Sequence, residues 1–249
     1  MKKIALILSV SLSISLSVFS SSVFSRETNF IDIDQAHQNF DDIDVIVNEY
    51  KIMNAFPDKT FRGNNSIDRY TYSVILLNTI DFLNKKMLEI EQEKILETST
   101  PINSETIKYQ NISDLDKNHW SYSKAIALLK LGLIRTFSDN TFRGEKTVDY
   151  IGFAIGIGRL MNIIYDDAPP VLKRKWQKEI THHVQSIKGI PEDSPVYEPL
   201  KLAIENNLID AKPGNGLTKP ITRYDVADYI IRVINKLDEL RKYIVFTRI

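Results

Sequence analysis

The eight residues FPDKTFRG (56–63) return 81 residues later as FSDNTFRG (137–144). Six of the eight letters are identical in the two copies. The likeness continues beyond the glycine, because an apolar residue and then an aspartate follow at the same distance in both copies, as Ile67-Asp68 and Val148-Asp149. A recurrence on this scale indicates a repeat architecture.

Helical patterns flank each copy of the motif. A short apolar segment precedes it, and a longer pattern with apolar residues at spacings of three and four follows it, which is typical of an amphipathic helix. In the first long pattern these residues are Tyr70, Val74, Leu77, Ile80, Leu83, Met87 and Ile90. A worn third copy spans 196–237, and its long helix carries the stripe Val226, Ile230, Val233, Leu237 and Leu240. The sequence therefore predicts an all-α fold of three helix–turn–helix units.

The ends of the chain and the joins between units complete the predicted organisation. Two lysines and then an apolar, serine-rich run open the chain, as in a secretory signal peptide, so we expect an exported protein. The predicted segments are a signal peptide (1–25), repeat 1 (26–98), a linker (99–110), repeat 2 (111–165), a basic helical insertion (166–186), and repeat 3 with a C-terminal tail (187–249). The last residues, YIVFTRI (243–249), have a strand-like composition.

Composition excludes several classes of function. The chain has no cysteine, so a disulfide framework and a lipoprotein anchor are ruled out. Lys+Arg and Asp+Glu number 32 each, so no global field recruits nucleic acid or an anionic membrane. Asp114, Asp116 and Asn118 copy the start of a calcium loop, but the glycine and the glutamate that such a loop needs are missing. No catalytic arrangement recurs with the repeats, so we expect no enzyme activity, no metal and no cofactor.

The starts of the three long helices carry the candidate binding residues. Asp68, Asp149 and Thr222 occupy the N-cap position, which places Arg69 and Arg223 at the first helical position. A cation there opposes the helix dipole, whereas helix-start amides and a guanidinium together suit an anion. The alternative is that both arginines are solvated surface residues. Their repetition beside a turn favours a role in binding.

These residues resemble a known family. ITRYDVADYI (221–230) is similar to the Ile-Thr-Arg-Ala-Glu signature of S-layer homology domains, and ISDLDKNHWSYSKAIALLKLGLI (112–134) is similar to the opening of that module. FPDKTFRGNNSIDRY (56–70) resembles its middle turn. The resemblance implies three repeats packed as a pseudo-threefold spindle. It also implies non-covalent binding of a cell-wall glycan, often one with a pyruvate ketal, in grooves between repeats.

The resemblance also implies roles for single residues. The helix-start arginines Arg69 and Arg223 would meet the acidic group of the ligand. Trp120 would line a groove or stack on a sugar, with a core aromatic as the alternative. Arg62 and Arg143, just before each turn glycine, are secondary glycan-binding candidates whose alternative is simple solvent exposure.

Departures from the family pattern limit the number of sites. Tyr150 replaces the helix-start arginine in repeat 2, while Gln38 and Pro195 replace the tryptophan in repeats 1 and 3. We therefore expect at most two working grooves, unless Arg143 or Lys146 supplies the missing charge.

The resulting hypothesis is a non-catalytic protein of the cell envelope, in the periplasm or at the cell surface. It binds an acidic or pyruvylated polymer or a peptidoglycan-linked saccharide, and an envelope protein is a further possible partner. No nucleic acid and no membrane span after signal cleavage are expected. The alternative is an envelope scaffold for protein interactions whose repeats have lost glycan binding. A hydrolase with its site in the two insertions is a third hypothesis.

Overall fold

The computed structural model describes residues 30–88, 112–167, 189–210 and 214–246, together with isolated positions between 170 and 187. The predicted signal peptide (1–25), the linker (99–110) and most of the predicted insertion (166–186) lie outside the described residues, and their boundaries stay predictions. The described residues form helices joined by turns, with three isolated β-bridges. The all-α prediction is confirmed for this part of the chain.

The helices fall into three units, each with a short first helix, a turn and a long second helix. Unit 1 (30–88) has α1 (Phe40–Asp44), which continues as a π-helical turn (Val45–Glu49), and α2 (Arg69–Leu88). Unit 2 (112–167) has α3 (Tyr122–Lys130) and α4 (Tyr150–Asp167). Unit 3 (189–246) has α5 (Tyr197–Glu205), a 3₁₀ turn (Gly214–Thr218) and α6 (Arg223–Phe246).

The strand-like interpretation of YIVFTRI is wrong for its first four residues. Tyr243 to Phe246 form the last turn of α6. Intrinsic strand preference is weak and depends on context, and continuing a helix satisfies the backbone groups without a partner strand.

The π-helical turn accommodates one extra residue in unit 1. The first helices begin at equivalent points, since the Phe40 and Tyr122 N–H groups both donate to the carbonyl three residues earlier. They end at equivalent left-handed residues, Lys51 (φ 57°) and Gly132 (φ 70°), so unit 1 has one residue more. The Tyr50 N–H donates to the Val45 carbonyl at 2.8 Å, a bond that closes the wider π-helical ring and absorbs the surplus.

A core shared by all three units covers more of α2 than the predicted stripe. Of the predicted stripe, Leu77, Ile80 and Leu83 are buried, Tyr70 and Val74 are half-buried, and the side chains of Met87 and Ile90 lie outside the described part. Tyr72, Ile75 and Leu76, which were not predicted, are buried as well. The wider burial arises because α2 also packs on unit 2, where the Tyr72 hydroxyl donates to the Phe153 carbonyl at 2.8 Å. On α6 the predicted stripe is confirmed for its described side chains, which are Val226, Ile230, Val233 and Leu237.

Glycines on α4 allow close contacts with other helices. A Cβ at Gly158 would lie 1.8 Å from the Pro199 carbonyl oxygen of α5, and one at Gly156 would lie 2.0 Å from the Tyr72 hydroxyl. Gly152 differs, because its nearest neighbour is the capping oxygen of Asp149 at 3.2 Å. Gly156 and Gly158 therefore permit a close approach of α4 to α2 and α5, whereas Gly152 does not serve this purpose.

The start of each long helix bonds to the turn of another unit. The first N–H of α2 donates to Lys146 of unit 2, that of α4 to Lys219 of unit 3, and that of α6 to Asn65 of unit 1. We call these contacts junctions A, B and C. They form a cycle and satisfy helix-start donors that would otherwise lack partners. The pseudo-threefold spindle stays a prediction.

Candidate functional site

Local capping fixes each helix start as the sequence predicts. The Thr71 N–H donates to Asp68 Oδ1, and the Gly152 N–H donates to Asp149 Oδ1, both at 2.7 Å. At α6, Thr222 and Asp225 accept each other's backbone N–H in a capping box. The residue that follows each cap is therefore held at a junction.

At junction A the side chain of Arg69 reaches across to unit 2. Its Nε donates to the Phe142 carbonyl at 2.8 Å, and its Nη2 donates to the Arg135 carbonyl at 2.7 Å. The guanidinium carbon also lies 5.0 and 4.8 Å from the ring centroids of Phe137 and Phe142. Burial lowers the pKa of Arg69.

At junction C, Arg223 makes the corresponding bonds to unit 1. Its Nε donates to the Phe61 carbonyl and its Nη2 to the Asn54 carbonyl, both at 2.7 Å. The residue is 7 % exposed, and burial lowers the pKa of Arg223 to about 10, so the guanidinium stays charged at neutral pH. Neither arginine is the solvated surface residue of the alternative interpretation. Both clamp a neighbouring turn, a role that sequence reasoning missed.

The tyrosine after each arginine explains the glycine of the Phe-Arg-Gly turn. A Cβ at Gly144 would lie 1.9 Å from Tyr70 Cζ, and a Cβ at Gly63 would lie 2.0 Å from Tyr224 Cζ. The far face of Tyr70 stacks on His119, with ring centroids 3.9 Å apart. Only a residue without a side chain fits between the turn and the ring.

Arg62 and Arg143 act within their own turns. Their Nη2 atoms pair with Asp58 at 2.6 Å and Asp139 at 2.8 Å, and the two arginine side chains are 43 % and 46 % exposed. Each guanidinium lies over the first phenylalanine of its turn, at 4.0 and 4.1 Å from the centroid. Their proposed contact with a glycan stays a prediction, while their ion pairs hold the turn.

These turns should loosen only in strong acid. Hydrogen bonds from the threonine two residues on and from the turn arginine lower the pKa of Asp58 and of Asp139 to about 2. Because the folded pKa lies below the unfolded value of about 4, the contribution is complete above pH 4 and is lost as pH falls to about 2. We expect the difference in melting temperature between wild type and the Asp58→Asn/Asp139→Asn variant to be constant above pH 4 and to shrink below it. A difference that is unchanged at pH 2 would contradict this origin.

Trp120 lies at the surface beside junction A. It is 62 % exposed, so the core-aromatic alternative is wrong. Its ring is 5.4 Å from His119, the residue that stacks on Tyr70. Backbone bonds at His37, His119 and Ser194 are equivalent, which confirms that Gln38 and Pro195 occupy the same position in units 1 and 3. An exposed indole offers a flat apolar surface for a sugar.

A groove of about 300 Å³ opens at junction A, between α2, the unit 2 turn and the start of α4. Its charged lining consists of Arg69, Arg135, Lys146, Arg159 and Asp149. We call it the cationic groove, since four cations face one carboxylate. The Asp149 carboxylate already accepts the Gly152 N–H. Burial lowers the pKa of Arg159, and the nearby positive charge of Arg135 lowers it further.

A second groove, of about 760 Å³ between units 1 and 3, carries the opposite charge. Its charged lining consists of Asp42, Asp210, Asp225, Asp228 and Arg232. Arg232 is held by bonds to Asp228 and Asp210 at 2.6 and 2.8 Å. This acidic groove repels anions. Within the described ranges, no three His, Asp or Glu side chains are grouped as metal ligands.

Comparison with known families relates parts of units 1 and 2 to one family. The profile of the S-layer homology domain matches residues 29–69 and 111–151. Two segments of the chain therefore match the S-layer homology domain. Each match covers a first helix, a turn and the start of the second helix, which are the parts that build junction A. Unit 3 lies outside the matches, so its membership stays a prediction. The comparison with curated proteins gives no match to this chain.

S-layer homology domains are in general binding modules for glycans of the cell wall and envelope, and they are not catalytic. Proteins that carry them are generally exported or associated with the envelope. No helix in the described part of this chain is long and apolar enough to cross a membrane.

Proposed function

We propose that this protein is a non-catalytic component of the cell envelope that binds an acidic cell-wall glycan at junction A. The observation that carries the proposal is the cationic groove, which lies where the two segments that match the S-layer homology domain meet. Four cations and one carboxylate give it a net positive lining. An anionic saccharide gains charge-assisted hydrogen bonds there.

The proposal gives different roles to the residues singled out from the sequence. Arg69 lines the groove and supports it through its bonds to unit 2. Trp120 stacks on a sugar ring at the edge of the same junction. Arg223 is buried in junction C and acts as a clamp. Arg143 shapes the unit 2 turn that presents the groove, and Arg62 shapes the equivalent turn of unit 1 at junction C. The acid-binding contacts therefore come from one junction.

The proposed place of action is the envelope, reached through the predicted signal peptide. The mature chain then begins near Arg26 and acts as a stand-alone binder or adaptor. The competing hypothesis, a scaffold for protein partners without glycan binding, is an outcome of the test below.

The test is co-sedimentation of residues 26–249 with purified cell-wall sacculi, before and after the acidic polymer is stripped from the wall. We expect wild type to pellet with intact walls and to stay in solution with stripped walls. Trp120→Ala should weaken binding by up to about tenfold, the loss of one aromatic contact. The matched control is Gln38→Ala, at the equivalent position of unit 1, which should bind like wild type. A wild-type protein that never pellets would favour the scaffold.

A further inference from the structure

We propose that the cationic groove recognises a compact group with two negative charges, of the phosphate class, and that Arg135, Lys146 and Arg159 are the residues that read it. This inference rests on the proposed function and names the chemistry that the ligand must present. It is carried by a comparison of the three junctions, whose equivalent positions are fixed by backbone hydrogen bonds.

Junctions A and C share the same clamp but differ in the charges around it. At junction A, the Arg69 N–H bonds to the Lys146 carbonyl and its Nη2 to the Arg135 carbonyl. At junction C, Arg223 makes the same two bonds to Asn65 and Asn54. The backbone partners correspond, so Lys146 is equivalent to Asn65, and Arg135 is equivalent to Asn54. Both cations have become neutral amides.

The third cation of the groove, Arg159, is also replaced by an asparagine at junction C. Arg159 on α4 donates from Nη1 to the Leu133 carbonyl at 3.2 Å. Its equivalent on α2 is Asn78, which donates from Nδ2 to the Ile52 carbonyl at 3.0 Å. Asn78 Oδ1 also accepts a bond from Lys124 Nζ at 2.7 Å. All three flanking cations of junction A are therefore asparagines at junction C.

Junction B has balanced charges. Tyr150 stands at its helix start in place of an arginine, and Lys219 occupies the position of Lys146. Asp210 and Arg232 occupy the positions of Arg135 and Arg159, so two cations, Lys219 and Arg232, face the carboxylates of Asp210 and Asp228. Arg232 bonds to Asp210 and also to Asp228. Junction A is therefore distinguished from the other two by an excess of positive charge.

The excess indicates what kind of group the groove accepts. The Nε and Nη2 groups of Arg69 already donate to carbonyls. The clamp therefore does not explain why three more cations lie beside it. The side chains of Arg135 and Lys146 are exposed. The positive charge of Arg135 disfavours the charged form of Arg159. A single carboxylate leaves most of this charge uncompensated. A dianion such as a phosphate ester compensates it better, and a volume of about 300 Å³ has room for the sugar unit that carries such a group.

The test measures binding of inorganic phosphate and of acetate to residues 26–249 by isothermal titration calorimetry at low ionic strength. Wild type should bind phosphate at least about tenfold more tightly than acetate. Arg135→Asn/Lys146→Asn, which copies junction C, should lose about tenfold or more in phosphate affinity. Its melting temperature should stay close to that of wild type, because the carbonyls that Arg69 uses are kept.

The control removes the side chains at the two equivalent positions of junction C. Asn54→Ala/Asn65→Ala should bind phosphate like wild type. Equal affinities for phosphate and acetate, or equal losses in the two double variants, would overturn the inference. Phosphate binding by a protein that ignores sacculi would refute the proposed wall target while keeping the site. Sacculus binding with no preference for phosphate over acetate would refute the phosphate inference while keeping the wall target. Stripping the wall of phosphate alone, or of pyruvate alone, then shows which group supplies the negative charge.

Discussion

Arg223→Ala should lower the free energy of unfolding by about 3 kcal/mol or more, from the loss of two buried, charge-assisted hydrogen bonds. The Nε and Nη2 donors reach the Phe61 and Asn54 carbonyls at 2.7 Å in a site that is 7 % exposed. Alanine leaves both carbonyls without this partner and removes the packing on two phenylalanine rings. The melting temperature should fall by roughly 6–12 °C in a chain of this size. Thermal and urea unfolding both measure the change.

The matched control is Arg135→Ala, which removes an exposed arginine side chain but keeps the backbone carbonyl that Arg69 uses. A surface substitution of this kind should change stability by about 0.5 kcal/mol or less. If Arg223→Ala is as stable as Arg135→Ala, the clamp does not hold units 1 and 3 together. The comparison thus separates a structural arginine from one that is available to a ligand.

Gly158→Ala should destabilise the fold by about 2 kcal/mol, even though alanine is the better helix former by about 1 kcal/mol. The new Cβ would lie 1.8 Å from the Pro199 carbonyl oxygen, a backbone atom of α5 that cannot rotate away. Helix α5 must then move from α4, and the apolar contacts between them open. Chemical unfolding measures the loss.

Gly152→Ala on the same helix is the control. Its Cβ would lie 3.2 Å from the side-chain oxygen of Asp149 and 3.6 Å from Val148 Cγ1, with no backbone atom of another helix in the way, so we expect a change within about 1 kcal/mol. Equal effects of the two substitutions would show that α4 and α5 are not held by this close approach.

Local patterns predicted the helices and their starts because caps and apolar spacing act within a few residues. Asp68, Asp149 and Thr222 cap the helices as expected, and the stripe on α6 is buried as expected. The π-helical turn was not predicted. Its signal is the single surplus residue in unit 1, which becomes visible only when both ends of the two first helices are matched.

The site itself was harder to predict, because it depends on contacts between distant residues. The sequence placed Arg69 and Arg223 at helix starts but did not show that they reach carbonyls in another unit. The sequence predicted the same role for both arginines. Their burial and the charges around them differ, so only Arg69 lines the cationic groove. Lys146 was considered only as a substitute charge, and Arg135 and Arg159 escaped notice because they do not recur in unit 1. The acidic groove was not predicted either, because its residues come from units 1 and 3, which are far apart in the sequence.

NMR mapping of the mature, ¹⁵N-labelled chain during titration with solubilised cell-wall polymer tests whether the polymer binds at the cationic groove. Backbone amide shifts report where the polymer binds without altering any residue. We predict that the largest shifts lie in 133–137, in 146–155 and at Arg69, around the cationic groove, and that Trp120, which lies outside the groove lining, shifts as well. Shifts confined to the acidic groove, or no shifts at saturating polymer, would contradict this prediction.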